Sequence, residues 1–457
     1  MQILLVIGVA WPGTAAHQPD THVSFWLIGA ALLFLPVAAV VQYCVRIWPY
    51  EGGVYQWTKH AFGPFAGFLS AWNLGAWVLL IISSLGLQTA SGLSFALGPR
   101  AAWMADSHAL ISALNIGLFA GILLASIPGL RSGRWLSHFG TAATLFVAGV
   151  LVVLLFVHPH ASRAHPHVSP QRPFSLQFPV LTLLSLNLFS KIAFNGYTAL
   201  EQVAVFAGET RHAARAILRS AWIAAPVIAL LYILMTGSIL TYTRADQVDL
   251  VNPVAQVIAT AFGAGSTTGA GVDWGQLLAR TAILALTAAT IAQAAVYIAE
   301  TSRLPMVAAW DHIIPAWFTR LHPRYRTPTR SLAVIVTLAV LFSFLASSSA
   351  GASEAFQLLN TSGFICYGFN YLLMFAVPLL LGTRFSLRPD LRPPALVRVA
   401  CVCGACVTML SIIFNLIPIV DVASPWLFAV KVGATALGIN LIGAAIYWRG
   451  SRRVHRD

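Results

Sequence analysis

Apolar segments long enough to cross a lipid bilayer follow one another along nearly the whole chain. A crossing helix needs about 20 apolar residues. Eleven such segments lie at roughly 22–46, 65–97, 107–128, 136–157, 178–208, 214–242, 275–300, 329–348, 354–382, 397–419 and 425–448. The composition agrees, since 58% of the residues are hydrophobic and 9% are charged, against roughly 25% charged residues in soluble domains. With a shorter apolar stretch at residues 1–11, these segments predict an all-α integral membrane protein of about twelve transmembrane helices.

The first stretch, residues 1–11, is too short to cross the bilayer by itself. We expect either a shortened first helix or a native start upstream of Met1. A cleavable signal peptide is not indicated, because the stretch lacks a basic beginning and a credible cleavage site.

Positively charged residues predict the orientation of the helices. Cytoplasmic connectors of membrane proteins carry an excess of Lys and Arg. If the amino terminus is cytoplasmic, the outer connectors hold only Arg100, Arg163, Arg172 and Arg244, and the other basic connectors lie inside. We therefore predict a multi-pass protein of the cell membrane with both termini in the cytoplasm. Nucleic-acid binding is not expected, because the net charge of +13 is dispersed over short connectors instead of one basic face.

The segments divide into two halves of five and a remaining pair. Helices 1–5 occupy residues 1–157, helices 6–10 occupy 178–382, and helices 11 and 12 occupy 397–448. Because each half holds an odd number of helices, the second half enters the membrane in the opposite direction. This arrangement predicts a five-plus-five inverted repeat, which many transporters contain.

The first helix of each half is interrupted. Residues 194–201 (FNGYTALE) place a glycine, an amide, a hydroxyl and a carboxylate within an apolar segment. Such groups are costly at bilayer depth unless they line a protein cavity. Residues 8–14 (GVAWPGT) interrupt the first segment. Two broken helices at corresponding positions indicate a transporter's substrate site, so we predict discontinuous helices 1 and 6.

A broken helix exposes backbone N–H groups on one side and carbonyl groups on the other. The N–H groups of the first break suit a carboxylate, and the carbonyl groups of the second suit an ammonium group, so the pair fits an amino acid. The alternative is a simple kink or a packing glycine. The candidate substrate-binding residues are Ala10, Trp11, Gly13, Thr14, Ala15, Phe194, Asn195, Gly196, Thr198 and Glu201.

Several polar or aromatic side chains are candidates for further roles. As a carboxylate within the membrane, Glu201 is expected to pair with a substrate amine, to sense protons, or to close the break as a hydrogen-bonded structural residue. His138 is a candidate proton relay, with a structural histidine as the alternative. Trp72, Asn73 and Tyr367 are candidate cavity liners.

The sequence does not indicate an enzyme, a metal site or a cofactor. Cys401, Cys403 and Cys406 lie close together, but no nearby His or carboxylate completes a metal site. Paired carboxylates and a nucleophile–base arrangement at compatible depths are not seen either.

Three ordered stretches resemble the amino acid–polyamine–organocation transporter superfamily. They are WPYEGGVYQWTKHAFGPFAGFLSAWN at 48–73, FNGYTALEQVAVFAGE at 194–209 and ETSRLPMVAAWDHIIPAWFTRLHPRYRTPTRS at 300–331. The resemblance implies twelve helices, the inverted repeat, and movement of amino acids or amines coupled to protons, sodium or exchange. It also makes Glu51, Gly52 and Gly53 a motif on the cytoplasmic side, where gating or coupling takes place.

The chain departs from this superfamily at three points. The usual first half of helix 1 is missing or cut short. Pro12 lies inside the first break and removes an N–H donor there. A lysine that some proton-coupled members carry in helix 5 has no counterpart, so the coupling ion stays open.

The leading hypothesis is a secondary active transporter for an amino acid or related amine. The alternatives are a polyamine or organic-cation carrier and a nutrient sensor built on the same fold. The expected partners are the small-molecule substrate, a coupling proton or sodium ion, and the lipid bilayer; the oligomeric state is left open.

Overall fold

The computed structural model describes residues 11–48, 52–127, 130–157, 174–202, 213–262, 274–302, 313–315, 317–318, 320–325, 327–349, 352–384, 392–419, 422 and 424–454. The helices that build the fold are α1 (Trp11–Ala16), α2 (His22–Ile47), α3 (Val54–Phe62), α4 (Pro64–Ile82), α5 (Leu85–Leu97), α6 (His108–Ser126), α7 (Leu130–Val157), α8 (Leu183–Tyr197), α9 (Ala213–Tyr242), α10 (Pro253–Ala261), α11 (Trp274–Thr301), α12 (Thr329–Ser349), α13 (Ala352–Arg384), α14 (Ala395–Phe414) and α15 (Pro425–Val454).

Nine helical stretches of the described residues are long and apolar enough to cross a membrane. They comprise α2, α4 with α5, α6, α7, α9, α11, α13, α14 and α15. The shorter α1, α8 and α12 complete the predicted order of twelve segments. The all-helical membrane fold is therefore confirmed.

Local sequence explains where several helices begin. Pro64 and Pro253 stand in the first turns of α4 and α10, where a missing N–H group costs nothing. Thr182 caps α8 through a capping box, in which it accepts from the Ser185 N–H and the Ser185 hydroxyl accepts from the Thr182 N–H. This cap fixes the start of the half-helix that leads to the break.

The turn between α2 and α3 depends on two glycines. Gly52 and Gly53 have positive φ values of 97° and 47°, which are costly for residues with a Cβ atom. The backbone of Gly52 then accepts from Tyr55 N–H at 3.1 Å as α3 begins. This turn carries part of the motif predicted to lie on the cytoplasmic side; its third residue, Glu51, lies outside the described residues.

The interior of the fold is apolar and aromatic, and its exterior is apolar as well. The largest buried cluster joins residues of α2, α8, α9, α13 and α14. Leu124 on α6 is 68% exposed and Leu437 on α15 is 61% exposed. A chain that exposes leucines on outward helix faces while burying aromatics inside is suited to a lipid environment.

Three discontinuities interrupt the helical order. α8 ends at Tyr197, and the chain continues through extended Thr198 into a short helical turn at 200–202. α1 is only six residues long, and a turn separates it from α2. The third discontinuity, which the sequence analysis did not predict, separates α4 from α5 at Ser83 and Ser84.

Candidate functional site

A cavity of about 90 Å³ lies where α1, α4, α5, α8, α11 and α13 approach one another. The end of α8 and the break after it form one wall, and the segment before α10 forms another. All of its lining residues in the described part of the chain are uncharged. The polar ones are Gln88, Asn195, Thr198, Asn252, Thr290, Gln293, Tyr297 and Asn360.

The backbone at the break is held by tyrosines of other helices. Ala199 has φ 81°, the one positive φ among the described non-glycine residues, and such a conformation costs on the order of 1 kcal/mol or more. Its N–H donates to the Tyr371 hydroxyl at 2.9 Å. The Tyr232 hydroxyl donates to the Gly196 carbonyl at 3.2 Å. Tertiary contacts therefore replace the helical hydrogen bonds that the break removes.

Glu201 is buried against the same tyrosine pair. Its side chain is 1% exposed. Tyr367 donates to one carboxylate oxygen and Tyr371 donates to the other. The two tyrosines lie four residues apart on α13, so their side chains share one helix face. The carboxylate thus fixes Tyr371, and Tyr371 in turn fixes the Ala199 N–H.

Gly196 lies in a tight contact with α2. A Cβ atom placed on Gly196 would lie 2.7 Å from Cζ3 of Trp26. The Trp26 ring cannot easily move, because it stacks on Tyr232 with centroids 4.2 Å apart and donates to the Thr236 hydroxyl at 3.1 Å. Glycine is therefore required here by the close approach of two helices.

α1 contributes an aromatic wall and a second close contact. Trp11 lines the cavity and meets the Phe364 ring edge-on, with centroids 5.2 Å apart. A Cβ atom on Gly13 would lie 2.6 Å from Pro253. Since Pro253 begins α10 and also lines the cavity, α1 and the segment before α10 close this side of the cavity together.

The segment before α10 is a turn held by side-chain hydrogen bonds. The Asp249 carboxylate accepts from the N–H groups of Val251 and Asn252 at 2.7 and 3.0 Å. The Asn252 amide donates to the Gln88 carbonyl on α5 at 2.8 Å. These bonds fix the position of the turn above the cavity.

Two polar atoms of cavity-lining residues are buried without a hydrogen-bond partner. They are the indole Nε1 of Trp77 and the amide Oδ1 of Asn195. One is a donor and the other is an acceptor. Leaving such a group unpaired costs about 1–3 kcal/mol, and both atoms are closed off from the open space of the cavity.

The structure brings together only part of the predicted substrate-binding set. Trp11, Asn195 and Thr198 line the cavity. Phe194 and Gly196 are buried beside it in helix packing. Gly13, Thr14 and Ala15 are buried within α1, and Glu201 is bonded to the tyrosine pair. Ala10 lies outside the described residues.

The other predicted residues lie away from the cavity. His138 is exposed on α7. The Trp72 indole donates to the Ile439 carbonyl at 2.8 Å, and the Asn73 amide donates to the Asn440 side chain at 2.8 Å. Both residues therefore join α4 to α15, and the expectation that they line the cavity is wrong.

Sequence reasoning missed several liners that share a helical spacing. On α11, Thr290, Gln293 and Tyr297 recur every three or four residues. On α13, Asn360 and Phe364 line the cavity. Tyr367, which was expected to line it, instead continues that stripe with Tyr371 to Glu201. Polar and aromatic residues at i, i+3, i+4 and i+7 mark one helix face. This spacing is the sequence signal that could have identified these cavity-lining residues.

Comparison with known proteins assigns the family. A family model described as amino acid permease matches residues 3–448. The chain belongs to the amino acid permease family. This assignment makes it a multi-pass membrane transporter with a small-molecule substrate and accounts for the resemblance found in the sequence.

Individual relatives of this permease are distant but cover most of its length. It is 25% identical to an uncharacterized transporter of Mycobacterium bovis, over 93% of this chain and 83% of the relative. It is 23% identical to the serine/threonine exchanger SteT of Bacillus subtilis, over 81% and 78% of the two chains. It is 24% identical to the low-affinity putrescine importer PlaP of Escherichia coli, over 79% and 76%.

A solved structure shares the permease's fold. The crystal structure of MhsT in complex with L-phenylalanine matches with a TM-score of 0.62 over 90% of this chain and 96% of that chain. The sequence identity is 12%, so the match supports a shared fold and nothing further. That fold is the five-plus-five inverted repeat with discontinuous helices 1 and 6.

Proposed function

We propose that this permease carries an amino acid across the cell membrane by alternating access, with the substrate held at the break after α8. The observation that carries the proposal is the position of the cavity. Its wall includes Thr198 and Ala199, at which the helix is interrupted, and Asn195 in the last turn of α8. A backbone carbonyl has two lone pairs, so carbonyl groups near such a break suit the ammonium group of a zwitterion without any charged side chain.

The uncharged lining favours an amino acid over a polyamine. A polyamine carries two or more ammonium groups, and carboxylates are the side chains that best compensate them. The described lining has none. Glu201, the nearest candidate in sequence, is engaged by Tyr367 and Tyr371 and is absent from the cavity wall. The polyamine carrier therefore remains the second candidate, supported by the likeness to the putrescine importer.

Glu201 is proposed to act on the break instead of on the substrate. Through Tyr371 its carboxylate reaches the Ala199 N–H, which forms part of the cavity wall. A change in the charge of Glu201 would weaken these hydrogen bonds and release the positive φ at Ala199. This connection provides a physical route from a coupling proton to the substrate site.

The distribution of arginines supports a cytoplasmic position for both termini. Glu51, Gly52 and Gly53 then belong to the cytoplasmic gate, where the positive φ values of the two glycines set the turn into α3. The coupling is proposed to be proton symport or exchange of one substrate for another.

Uptake by the purified protein in proteoliposomes tests the proposal. Radiolabelled L-serine, L-alanine and putrescine are supplied under a proton gradient, under a sodium gradient, or with unlabelled amino acid inside. We expect amino acid uptake that a proton gradient or internal amino acid stimulates. Uptake of putrescine but of no amino acid would transfer the function to the second candidate.

A further inference from the structure

Three side-chain amides line the cavity, on Gln88 of α5, Asn252 before α10 and Asn360 of α13. The NH₂ groups of Asn252 and Asn360 donate to the backbone carbonyls of Gln88 and Phe356, both at 2.8 Å. A carbonyl can only accept, so these two amides are oriented with their nitrogen atoms toward the protein. Their oxygen atoms lie on the other branch of each amide.

The Gln88 amide is oriented in the same sense. Its NH₂ group donates to the Ser84 hydroxyl at 2.8 Å. That hydroxyl gives its only proton to the Ile81 carbonyl at 2.7 Å, so it can only accept from Gln88. All three amides thus use a donor within the protein and keep their acceptor oxygens.

The three amide oxygens have no partner in the described part of the chain, and they are open. They accept no hydrogen bond there, and they do not belong to its polar atoms that are closed off from open space. In this they differ from Nε1 of Trp77 and Oδ1 of Asn195. Asn360 is only 6% exposed, so the surface that its side chain retains is part of the cavity wall.

Packing brings these amides to one end of the cavity. Leu87 and Val251 are the sequence neighbours of two of them, and Phe356 lies one helical turn before the third. These three apolar residues belong to one buried cluster. We call this end of the cavity the amide wall, and it consists of Gln88, Asn252 and Asn360.

The amide wall and the break after α8 lie close enough for one amino acid to touch both. Phe364, four residues after Asn360 on α13, contacts the Phe194 ring of α8 with centroids 6.2 Å apart. Four residues of a helix rise by about 6 Å. Since the proposed function places the amino and carboxyl groups of the substrate at the break, the amide wall faces its side chain.

Acceptor oxygens without a compensating charge favour one class of side chain. A carboxamide offers two N–H donors without a charge, whereas a hydroxyl offers one donor and a hydrocarbon none. A carboxylate carries acceptors only and would face other acceptors. An ammonium or guanidinium group supplies donors, but all described lining residues are uncharged and leave its charge uncompensated.

We infer that the permease selects a neutral amino acid with a side-chain carboxamide, L-asparagine or L-glutamine, whose N–H groups donate to the oxygens of Gln88, Asn252 and Asn360. The inference rests on the proposed amino acid transport. It adds the class of side chain and the residues that recognise it. A side chain of the same size without N–H donors leaves these oxygens unpaired, and a site discriminates against such an analogue.

Uptake of isosteric amino acids into proteoliposomes tests the inference. L-Asparagine, L-leucine and L-aspartate have side chains of similar size and differ in donors and charge. L-Glutamine, L-methionine and L-glutamate form the longer series. In at least one series we expect the amide to exceed the apolar amino acid about tenfold in kcat/KM, the effect of one to two net hydrogen bonds. The acid should be carried least, because its charge is uncompensated.

Asn360→Leu removes one acceptor oxygen and keeps the size of the side chain. The amide-to-apolar ratio should fall about fivefold or more, chiefly through weaker uptake of the amide. Asn415→Leu at the end of α14 is the matched control. Asn415 also donates to the carbonyl four residues earlier, that of Ser411, at 2.8 Å, but its oxygen is closed off and the residue does not line the cavity. Its ratio should equal that of the wild type.

Gln88→Met is a second variant of the amide wall and should lower the ratio in the same direction. It carries the test should Asn360→Leu fail to fold. Thermal-shift binding of the amide and the apolar amino acid to the wild type gives the ratio without any variant.

The outcomes separate the inference from the proposal beneath it. Amino acid uptake without a preference for the amide in either series overturns the inference and leaves the proposed function standing. A preference that persists in both Asn360→Leu and Gln88→Met also overturns it, as does an equal fall of the ratio in Asn415→Leu. Failure of the wild type to bind or transport any amino acid overturns both.

Discussion

Two helix interruptions lie in helices that line the cavity, and they are stabilised in different ways. Between α4 and α5, the hydroxyls of Ser83 and Ser84 donate to carbonyls of the preceding turn, Leu79 and Ile81, at 2.6 and 2.7 Å. The two serine side chains thus satisfy carbonyls of their own helix, and across the interruption the Gly86 N–H donates to Asn115 of α6 at 2.8 Å. After α8, the freed groups bond to tyrosines of α9 and α13.

The difference distinguishes a kink from a binding site. Local hydroxyl–carbonyl bonds bend a helix without placing its backbone next to an open space. The interruption after α8 instead combines a positive φ at Ala199, backbone bonds to distant tyrosines and residues that line the cavity. Strain of this kind persists where the surrounding structure holds it and is typical of functional sites. The following variants test whether the two interruptions differ in function as they do in structure.

The largest effect is expected for Gly196→Ala. The new Cβ would lie 2.7 Å from the enclosed Trp26 ring, and such overpacking costs about 1–3 kcal/mol. Since Gly196 lies two residues before the break, we expect a loss of transport of tenfold or more and a lower unfolding temperature. Gly117→Ala on α6 is the control, because no atom lies within 4 Å of its Cβ position. Wild-type transport by Gly196→Ala would show that the α2–α8 contact is not needed.

Removal of the tyrosine hydroxyls should have the next largest effect. Tyr371→Phe breaks the bonds to both Glu201 and Ala199, whereas Tyr367→Phe breaks only the bond to Glu201. A hydrogen bond to a charged group contributes about 1.5–3 kcal/mol, so Tyr371→Phe is expected to lower kcat/KM about tenfold or more. Tyr367→Phe should have a smaller effect. An equal loss in the two variants would mean that the Ala199 N–H does not depend on Tyr371.

Glu201→Gln tests whether the carboxylate acts on the break or on the substrate. The amide keeps the size of the side chain but offers one carbonyl oxygen instead of two carboxylate oxygens to the tyrosines. Because Glu201 does not line the cavity, we expect the maximal uptake rate to fall several-fold while KM changes by less than about twofold. A raised KM at an unchanged maximal rate would indicate direct contact with the substrate amine.

The interruption after α8 could be predicted from sequence, and the one between α4 and α5 could not. Residues 194–201 bring an amide, a glycine and a carboxylate into an apolar segment, and each is costly there. Ser83 and Ser84 are small residues that bond to their own helix, so they hardly alter the apolar pattern. The start of α5 is supported by the Asn115 side chain of α6, which accepts from the Gly86 N–H. A single sequence does not reveal that these two residues meet.

The residues that line the cavity show a similar limit of prediction from sequence. Trp72, Asn73 and Trp77 all lie on α4, but only Trp77 faces the cavity. Five residues along a helix turn the side chain by about 140°, so Trp72 and Trp77 meet different neighbours. Which face of an all-apolar helix points inward is decided by the helices that pack around it, and those are not evident from composition or spacing.

The smallest effect on transport is expected for Asn115→Ala, at the interruption between α4 and α5. The Asn115 side chain accepts from the Gly86 N–H at 2.8 Å and donates to the Ser343 hydroxyl. Its removal leaves two buried groups unpaired, and we expect a loss of stability of about 1–3 kcal/mol, measured as a lower unfolding temperature in detergent. KM should stay within about twofold of the wild type, because this side chain supports a kink and does not line the cavity. A change in KM as large as that of Tyr371→Phe would remove the distinction between the two interruptions and make the start of α5 part of the binding site.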